Sequence, residues 1–89
     1  MLYNVADFKN KQVVSTETGA VIGYVGELEI DTDTGSVANI VIFGKQRLMG
    51  ILGREEDVMI PWSNIEVIGD ETVLIKGPIL TKNLVRKSL

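Results

Sequence analysis

The chain contains no cysteine and no histidine. These absences exclude disulfides, thiolate and imidazole catalysis and the usual zinc sites. Only carboxylate and hydroxyl side chains remain for general acid, base or nucleophilic chemistry. The residue inventory therefore argues against an enzyme, and we predict neither a catalytic residue nor a cofactor.

Long apolar runs are absent as well. The longest unbroken apolar stretch, residues 40–43, is far too short to span a bilayer, and residues 1–11 hold no run of signal-peptide length. The lack of cysteine agrees with a reducing compartment. We therefore expect a cytoplasmic protein without a membrane span.

Basic residues are scarce in most of the chain. Residues 1–75 hold five Lys and Arg against twelve Asp and Glu, a net charge of −7, whereas residues 76–89 hold four cations and no acid. Because an acidic body repels phosphate backbones, we do not expect it to bind nucleic acid broadly. With 89 residues, the chain is long enough for a single domain.

Most of the sequence has patterns typical of β-strands, in which β-branched or alternating apolar segments are separated by turn residues. Six strands are predicted, at residues 11–15, 21–31, 37–43, 57–61, 65–68 and 72–76. Gly23 and Gly26 interrupt the second strand, and such glycines commonly allow a bulge or bend that lets a sheet curl. The pattern predicts an all-β fold, a small six-stranded barrel. Its predicted core comprises Leu28, Ile30, Ile40, Ile42, Ile60 and Trp62.

Two segments depart from the strand pattern. Residues 44–53 place four large apolar side chains between glycines and basic residues, which predicts either a lid over the barrel end or a contact surface. From residue 78 a basic tail begins, with apolar spacing compatible with a short helix. We predict a domain at residues 1–77 and a tail at residues 78–89. The candidate interaction surface comprises Leu48, Met49, Ile51, Leu52, Arg54, Leu80 and Leu84.

Three short motifs imitate known sites. Asp33-Thr34-Gly35 is spelled like the aspartic-protease triplet, but Asp31 and Thr32 precede it in place of the apolar frame that a shared-proton dyad needs. Asp31 and Asp33 lack the further ligands of a calcium loop. Residues 50–53 resemble the Gly-x-x-Gly loop of KH domains without its flanking helices. The first motif is interpreted as a hairpin turn, and no metal site is predicted.

Several short motifs follow one another in a distinctive order: Gly26-Glu27-Leu28-Glu29-Ile30-Asp31, Thr34-Gly35, Leu52-Gly53-Arg54-Glu55-Glu56, and Ile60-Pro61-Trp62 with Ile65 and Ile68-Gly69. In this order they resemble a PRC-barrel domain, and within that family the YlmC/YmxH-type group of spore-forming bacteria. The resemblance covers residues 5–76. Asn10 and the tail from Pro78 depart from it.

The resemblance implies a six-stranded barrel used for protein contacts, with no catalytic residues to transfer onto this chain. We therefore interpret the protein as a non-enzymatic interaction module or adaptor with a link to sporulation. Its partner is either a second copy, in a homodimer, or another protein. The alternative is an adaptor for ribosomes or RNA processing, by analogy with the barrels of ribosome-maturation factors, and an acid protease ranks third.

Overall fold

The computed structural model describes residues 2–44 and 56–82, with side chains up to residue 79. The fold is mostly β, since strands account for most of the regular structure. In chain order the elements are α1 Val5–Phe8, β1 Gln12–Ser15, β2 Val21–Tyr24, β3 Glu27–Asp31, β4 Ser36–Ile42, β5 Asp57–Pro61, a 3-10 helix Trp62–Asn64, β6 Ile65–Ile68, β7 Thr72–Ile75 and β8 Leu80–Lys82.

The strands form two four-stranded sheets, with orders β2-β1-β7-β6 and β3-β4-β5-β8. β1 and β7 run parallel although most of the chain separates them, and the other pairs are antiparallel. The predicted count of six strands is wrong, and the described strands do not close into one barrel. The count differs because the predicted strand at residues 21–31 is split between the two sheets, and because β8 was not predicted.

The chain passes from the first sheet to the second at Val25 and Gly26. The Val25 N–H donates to the Lys11 carbonyl at 2.9 Å, whereas the Gly26 N–H donates to the Val41 carbonyl at 2.8 Å. Val25 is only 1% exposed. The backbone at this crossing is therefore hydrogen-bonded to both sheets and couples them.

Two glycines make the crossing possible because β4 passes very close to them. A Cβ atom built on Gly23 would lie 2.6 Å from Ile42 Cγ2, and one on Gly26 would lie 2.5 Å from Phe43 Cδ2. Real carbon atoms do not approach so closely without a shift of the backbone or the neighbouring side chain. The prediction that these glycines allow the sheet to bend agrees with the break between β2 and β3.

Both sheets and α1 contribute to one core. Its buried members are Phe8, Val13, Val25, Ile40, Ile42, Ile60, Val73 and Ile75. Leu28 and Trp62 are half-buried and pack against this cluster.

The prediction that Ile30 belongs to the core is wrong, because its side chain is 57% exposed. The pairing register of β3 and β4 shifts between Glu29 and Ile30, so that Ile30 lies opposite Val37. Ile30 is therefore at the outer end of the hairpin, beside the exposed turn of residues 32–35 and beyond the packed interior. A bulge of this kind cannot be located from alternation alone.

The tail departs from its predicted conformation where it is described. Leu80 to Lys82 form a strand that pairs antiparallel with β5, with Leu80 opposite Met59. A helix starting at Leu80 is therefore the wrong prediction for these three residues. The division of the chain after residue 77 stays a prediction, as does the conformation of residues 83–89, which lie outside the described residues.

Candidate interaction surface

The short helix α1 is held at its start by a local pair of hydrogen bonds. The Asn4 N–H donates to Asp7 Oδ2 at 2.8 Å, and the Asp7 N–H donates to the Asn4 carbonyl at 2.9 Å. Such reciprocal contacts satisfy amide groups that the first helical turn leaves unpaired. They hold the helix in a position where Phe8 is only 4% exposed and Val5 is 53% exposed.

Three aromatic rings are in contact next to this helix. The Phe8 ring meets the Tyr3 ring edge-on, with centroids 5.5 Å apart, and its centroid lies 5.6 Å from the Trp62 ring. Edge-to-face and tilted arrangements at these distances are favourable beyond the area they bury. The buried Phe8 ring therefore contacts two more exposed rings, those of Tyr3 and Trp62.

The aromatic rings form part of an apolar groove with a volume of about 310 Å³. Its lining comes from α1 and the segment before it, from β3, β4 and β6, and from the 3-10 helix. The residues that line the groove are Tyr3, Val5, Phe8, Leu28, Val37, Trp62 and Ile68. We refer to this set as the aromatic groove. Few polar groups line it. Its one hydroxyl, on Tyr3, donates to the Ile68 carbonyl at 3.4 Å.

A buried lysine supports one side of the aromatic groove. Lys11 is 6% exposed, and its Nζ donates to the carbonyls of Gly69 and Asp70 at 2.5 and 2.6 Å. The same Nζ lies 5.8 Å from the centroid of the Tyr3 ring, within the range of a cation–π contact. Lys11 thus ties the turn after β6 to β1 and to Tyr3.

Replacement of Lys11 by methionine should destabilise the protein by about 1–3 kcal/mol, because two buried carbonyls would lose a charged donor. Urea unfolding followed by circular dichroism measures this loss. The matched control is Lys9→Met, which removes an exposed lysine two residues away and should change stability by less than about 0.5 kcal/mol. Equal stability of the two variants would contradict the supporting role of Lys11.

A second depression, of about 520 Å³, lies between β2 and the end of β4. Gly44 and Glu56 line it, and these residues flank residues 45–55, so the described residues do not define its full outline. At its edge the buried carboxylate of Asp57 accepts a hydrogen bond from the Gly44 N–H at 2.8 Å. This contact holds the end of β4 to the start of β5.

The part of the chain with described side chains is rich in acidic residues. Among the residues with described side chains, three Lys and Arg stand against eleven Asp and Glu, a net charge of −8. Of these three cations, Lys11 is buried, whereas Lys9 and Lys76 are exposed. The remaining basic residues of the chain lie in residues 45–54 and 82–87. With these six cations and Glu55, the net charge of the whole chain is −3.

The predicted interaction surface lies almost wholly outside the described residues. Leu48, Met49, Ile51, Leu52, Arg54 and Leu84 belong to residues 45–55 and 83–89, and for Leu80 the structure describes only the backbone of β8. Their role in binding stays a prediction, as does the choice between a lid and a contact surface.

The residues of the aromatic groove were missed as a group, although Leu28 and Trp62 were predicted to lie in the core. The N-terminal segment carried a usable signal. Val5 and Phe8 are three residues apart, and Asn4 and Asp7 have the spacing of a helix-start capping pair. Short helices are marginal by themselves, so the signal is weak without knowledge of the packing surface.

The protease-like triplet lies in the turn between β3 and β4. The Asp33 N–H donates to Asp31 Oδ1 at 2.9 Å, and the Gly35 N–H donates to the Asp31 carbonyl at 2.8 Å. Gly35 has a φ of 74°, a conformation that favours glycine in tight turns. The turn interpretation of Asp33 is thus confirmed. Within residues 2–44 and 56–79, no three acidic side chains converge as metal ligands would.

The two β-sheets coupled at a glycine bend, with the Pro61-Trp62 corner after β5, define a small β domain. The chain belongs to the PRC-barrel domain family, whose model matches residues 1–80. It is 32% identical to the probable sporulation protein YlmC of Bacillus subtilis over 75 residues, which cover 84% of this chain and 93% of that protein. The family resemblance predicted from the motifs is confirmed.

A second relative is an uncharacterized protein of Clostridium acetobutylicum. It is 28% identical over 81 residues, which cover 91% of this chain and 92% of the relative. Both relatives therefore match this chain over nearly their whole length. In the described part of this chain, no helix has the length and apolar character that crossing a bilayer requires.

Proposed function

We propose that the protein is a non-enzymatic protein–protein interaction module that acts in sporulation. The observation that carries this proposal is the aromatic groove, in which three contacting rings and four aliphatic residues leave an apolar surface open on a small acidic domain. Contiguous exposed apolar surface of this kind is typical of a contact site. The role in sporulation is supported by the name of the Bacillus subtilis relative.

The chemistry of the groove supports binding over catalysis. Its lining has no carboxylate and no amine, and its one hydroxyl, on Tyr3, is engaged with the Ile68 carbonyl. A catalytic site needs a nucleophile, an acid or a base aimed at the reacting atoms. The groove offers apolar contact area and two partly exposed aromatic residues, Tyr3 and Trp62. Aromatic residues are enriched at protein interfaces.

The acidic surface favours a protein partner over RNA. The whole chain has a net charge of −3, and only three of its nine basic residues lie outside residues 45–54 and 82–87, so the rest of the domain repels a phosphate backbone, more weakly as salt is raised. The ribosome-associated alternative would therefore require contact with a ribosomal protein, or contact with RNA through the basic segments at residues 45–54 and 82–87.

Affinity capture from the cells that produce the protein tests this proposal. The full chain should retain a defined protein partner. A Leu48→Asp/Ile51→Asp variant tests whether residues 44–53 contribute to this binding, and a chain ending at Lys82 tests whether residues 83–89 do. The truncation preserves β8, which pairs with β5 and would be lost in a shorter chain. Sedimentation of each form reports homodimer formation. The proposal is wrong if all forms stay folded and monomeric and none retains a partner.

A further inference from the structure

We infer that the edge of β5 is a strand-exchange site, at which β8 of a second copy of the chain replaces the chain's own β8, and that Asn64 and Glu17 limit this exchange. The inference goes beyond the proposed function, because it concerns the edge of β5 and not the aromatic groove. We refer to residues 76–79, which join β7 to β8, as the β8 link.

The edge of β5 fits the β8 strand of a second copy without any new contact. In the structure β8 is the end strand of its sheet, with Leu80 opposite Met59 and Lys82 opposite Asp57 on β5. A second copy carries the same β8 sequence, so exchange keeps this pairing and changes only the path of the link. Because β8 is three residues long, few hydrogen bonds break when it leaves. The uncovered edge of β5 then favours addition of another strand.

The β8 link has the position and conformation of a hinge. It leaves β7 in one sheet and enters β8 in the other. Gly77 in this link has a φ of 103°, which favours glycine over residues with a Cβ atom. Exchange requires new backbone angles in the link only, because the strands on either side keep their pairing. A glycine at this point can adopt those angles at little steric cost.

Two side chains from other parts of the chain hold the β8 link in its observed path. Asn64 Nδ2 donates to the Pro78 carbonyl at 2.6 Å, and the Gly77 N–H donates to Glu17 Oε1 at 3.0 Å. The Asn64 carbonyl accepts a hydrogen bond from the Lys76 N–H at 2.9 Å. Asn64 lies in the 3-10 helix directly after β5, so these contacts direct β8 to β5 of the same copy. Their loss therefore shifts the population toward exchange.

Engineered cysteines test the inference, because the chain has none of its own. One full-length protein carries Met59→Cys and a second carries Leu80→Cys, at positions that lie directly opposite each other in the β5–β8 pair. Opposed positions of an antiparallel pair come within reach of a disulfide. When the two proteins are mixed under mild oxidation, exchange produces a disulfide between them. Non-reducing electrophoresis and mass spectrometry measure the yield of this mixed dimer.

The yield should rise about tenfold or more when both proteins also carry Asn64→Ala and Glu17→Ala, because two hydrogen bonds to the link are lost. Asn39→Ala is the matched control for these substitutions. It removes a side-chain hydrogen bond between β4 and β3, from Asn39 Nδ2 to Glu29 Oε1 at 3.1 Å. This control should leave the yield unchanged.

A second control measures disulfides that form by random collision. Val67→Cys takes the place of Leu80→Cys in the mixture, since Val67 is 51% exposed on β6 and lies outside the β5–β8 pair. With Asn64→Ala and Glu17→Ala present, the Met59→Cys and Leu80→Cys mixture should exceed this background about tenfold or more. Circular dichroism verifies that each protein is folded, and the two single alanine variants replace the double variant if it unfolds.

Two results would overturn the inference. A mixed dimer that stays at the collision background in the alanine variants would show that β8 does not exchange. A yield that Asn39→Ala raises as much as the substitutions of Asn64 and Glu17 would show that these two residues do not limit exchange. In both cases the aromatic groove and the outcome of affinity capture are unaffected, so the proposed function is tested separately.

Discussion

Replacement of Ile40 by alanine should lower the free energy of unfolding by about 2–5 kcal/mol. Ile40 is 0% exposed and lies on β4, the strand between β3 and β5, opposite Leu28 on one side and Ile60 on the other. Truncation removes buried methyl groups and leaves a cavity that close-packed neighbours cannot fill completely. The loss is a large share of the roughly 4–13 kcal/mol expected of a domain of this length.

Urea unfolding of the Ile40→Ala protein, followed by far-ultraviolet circular dichroism, measures this effect. Val67→Ala is the control, because Val67 is also β-branched and lies in a strand but is 51% exposed. It should cost less than about 1 kcal/mol. Ile40→Val should fall between them, at about 0.5–1.5 kcal/mol. If Ile40→Ala were no more harmful than the control, the assignment of β4 to the centre of the core would be wrong.

Trp62→Ala should cost about 2–4 kcal/mol, somewhat less than the 3–5 kcal/mol typical of a fully buried aromatic residue. The reduction follows from the position of the ring, which is half-buried and covers Phe8 at a centroid distance of 5.6 Å. Loss of the ring would expose Phe8 and remove the contact that joins α1 to the corner after β5.

Trp62→Phe is the informative comparison for this prediction. It keeps an aromatic ring over Phe8 and should recover more than half of the stability lost in the alanine variant. Thermal and urea unfolding must be followed by circular dichroism, since both substitutions remove the chain's single tryptophan. A phenylalanine variant as unstable as the alanine variant would indicate that the ring contact with Phe8 contributes little.

The positions of most strands followed directly from the sequence. The predictions at residues 57–61 and 65–68 match the observed β5 and β6. Those at residues 11–15 and 72–76 differ from β1 and β7 by one residue at one end, and that at residues 37–43 differs from β4 by one residue at both ends. Alternation and turn residues act locally, so a pattern of a few residues suffices to place a strand. The turn at Asp33 was predicted for the same reason.

The interaction surface depended on contacts that local patterns do not encode. Tyr3 and Trp62 are far apart in the chain, and both are brought to Phe8 only when α1 packs beside the 3-10 helix. The predicted surface at residues 48–54 and 80–84 followed composition instead, and it lies almost wholly beyond the described residues. Composition indicates which segments are apolar, but it does not indicate which of them meet.

Residue inventory was enough to exclude cysteine and histidine chemistry. Alternation and turn residues were enough to predict a mainly β fold and to place most of its strands, because these properties belong to single residues and their near neighbours. Tertiary structure alone decided how the strands are shared between two sheets. It brought β1 and β7 into a parallel pair, left Ile30 exposed through a register shift and assembled the aromatic groove. Each of these outcomes depends on long-range packing and pairing, whose free energy is set by residues distant in the chain.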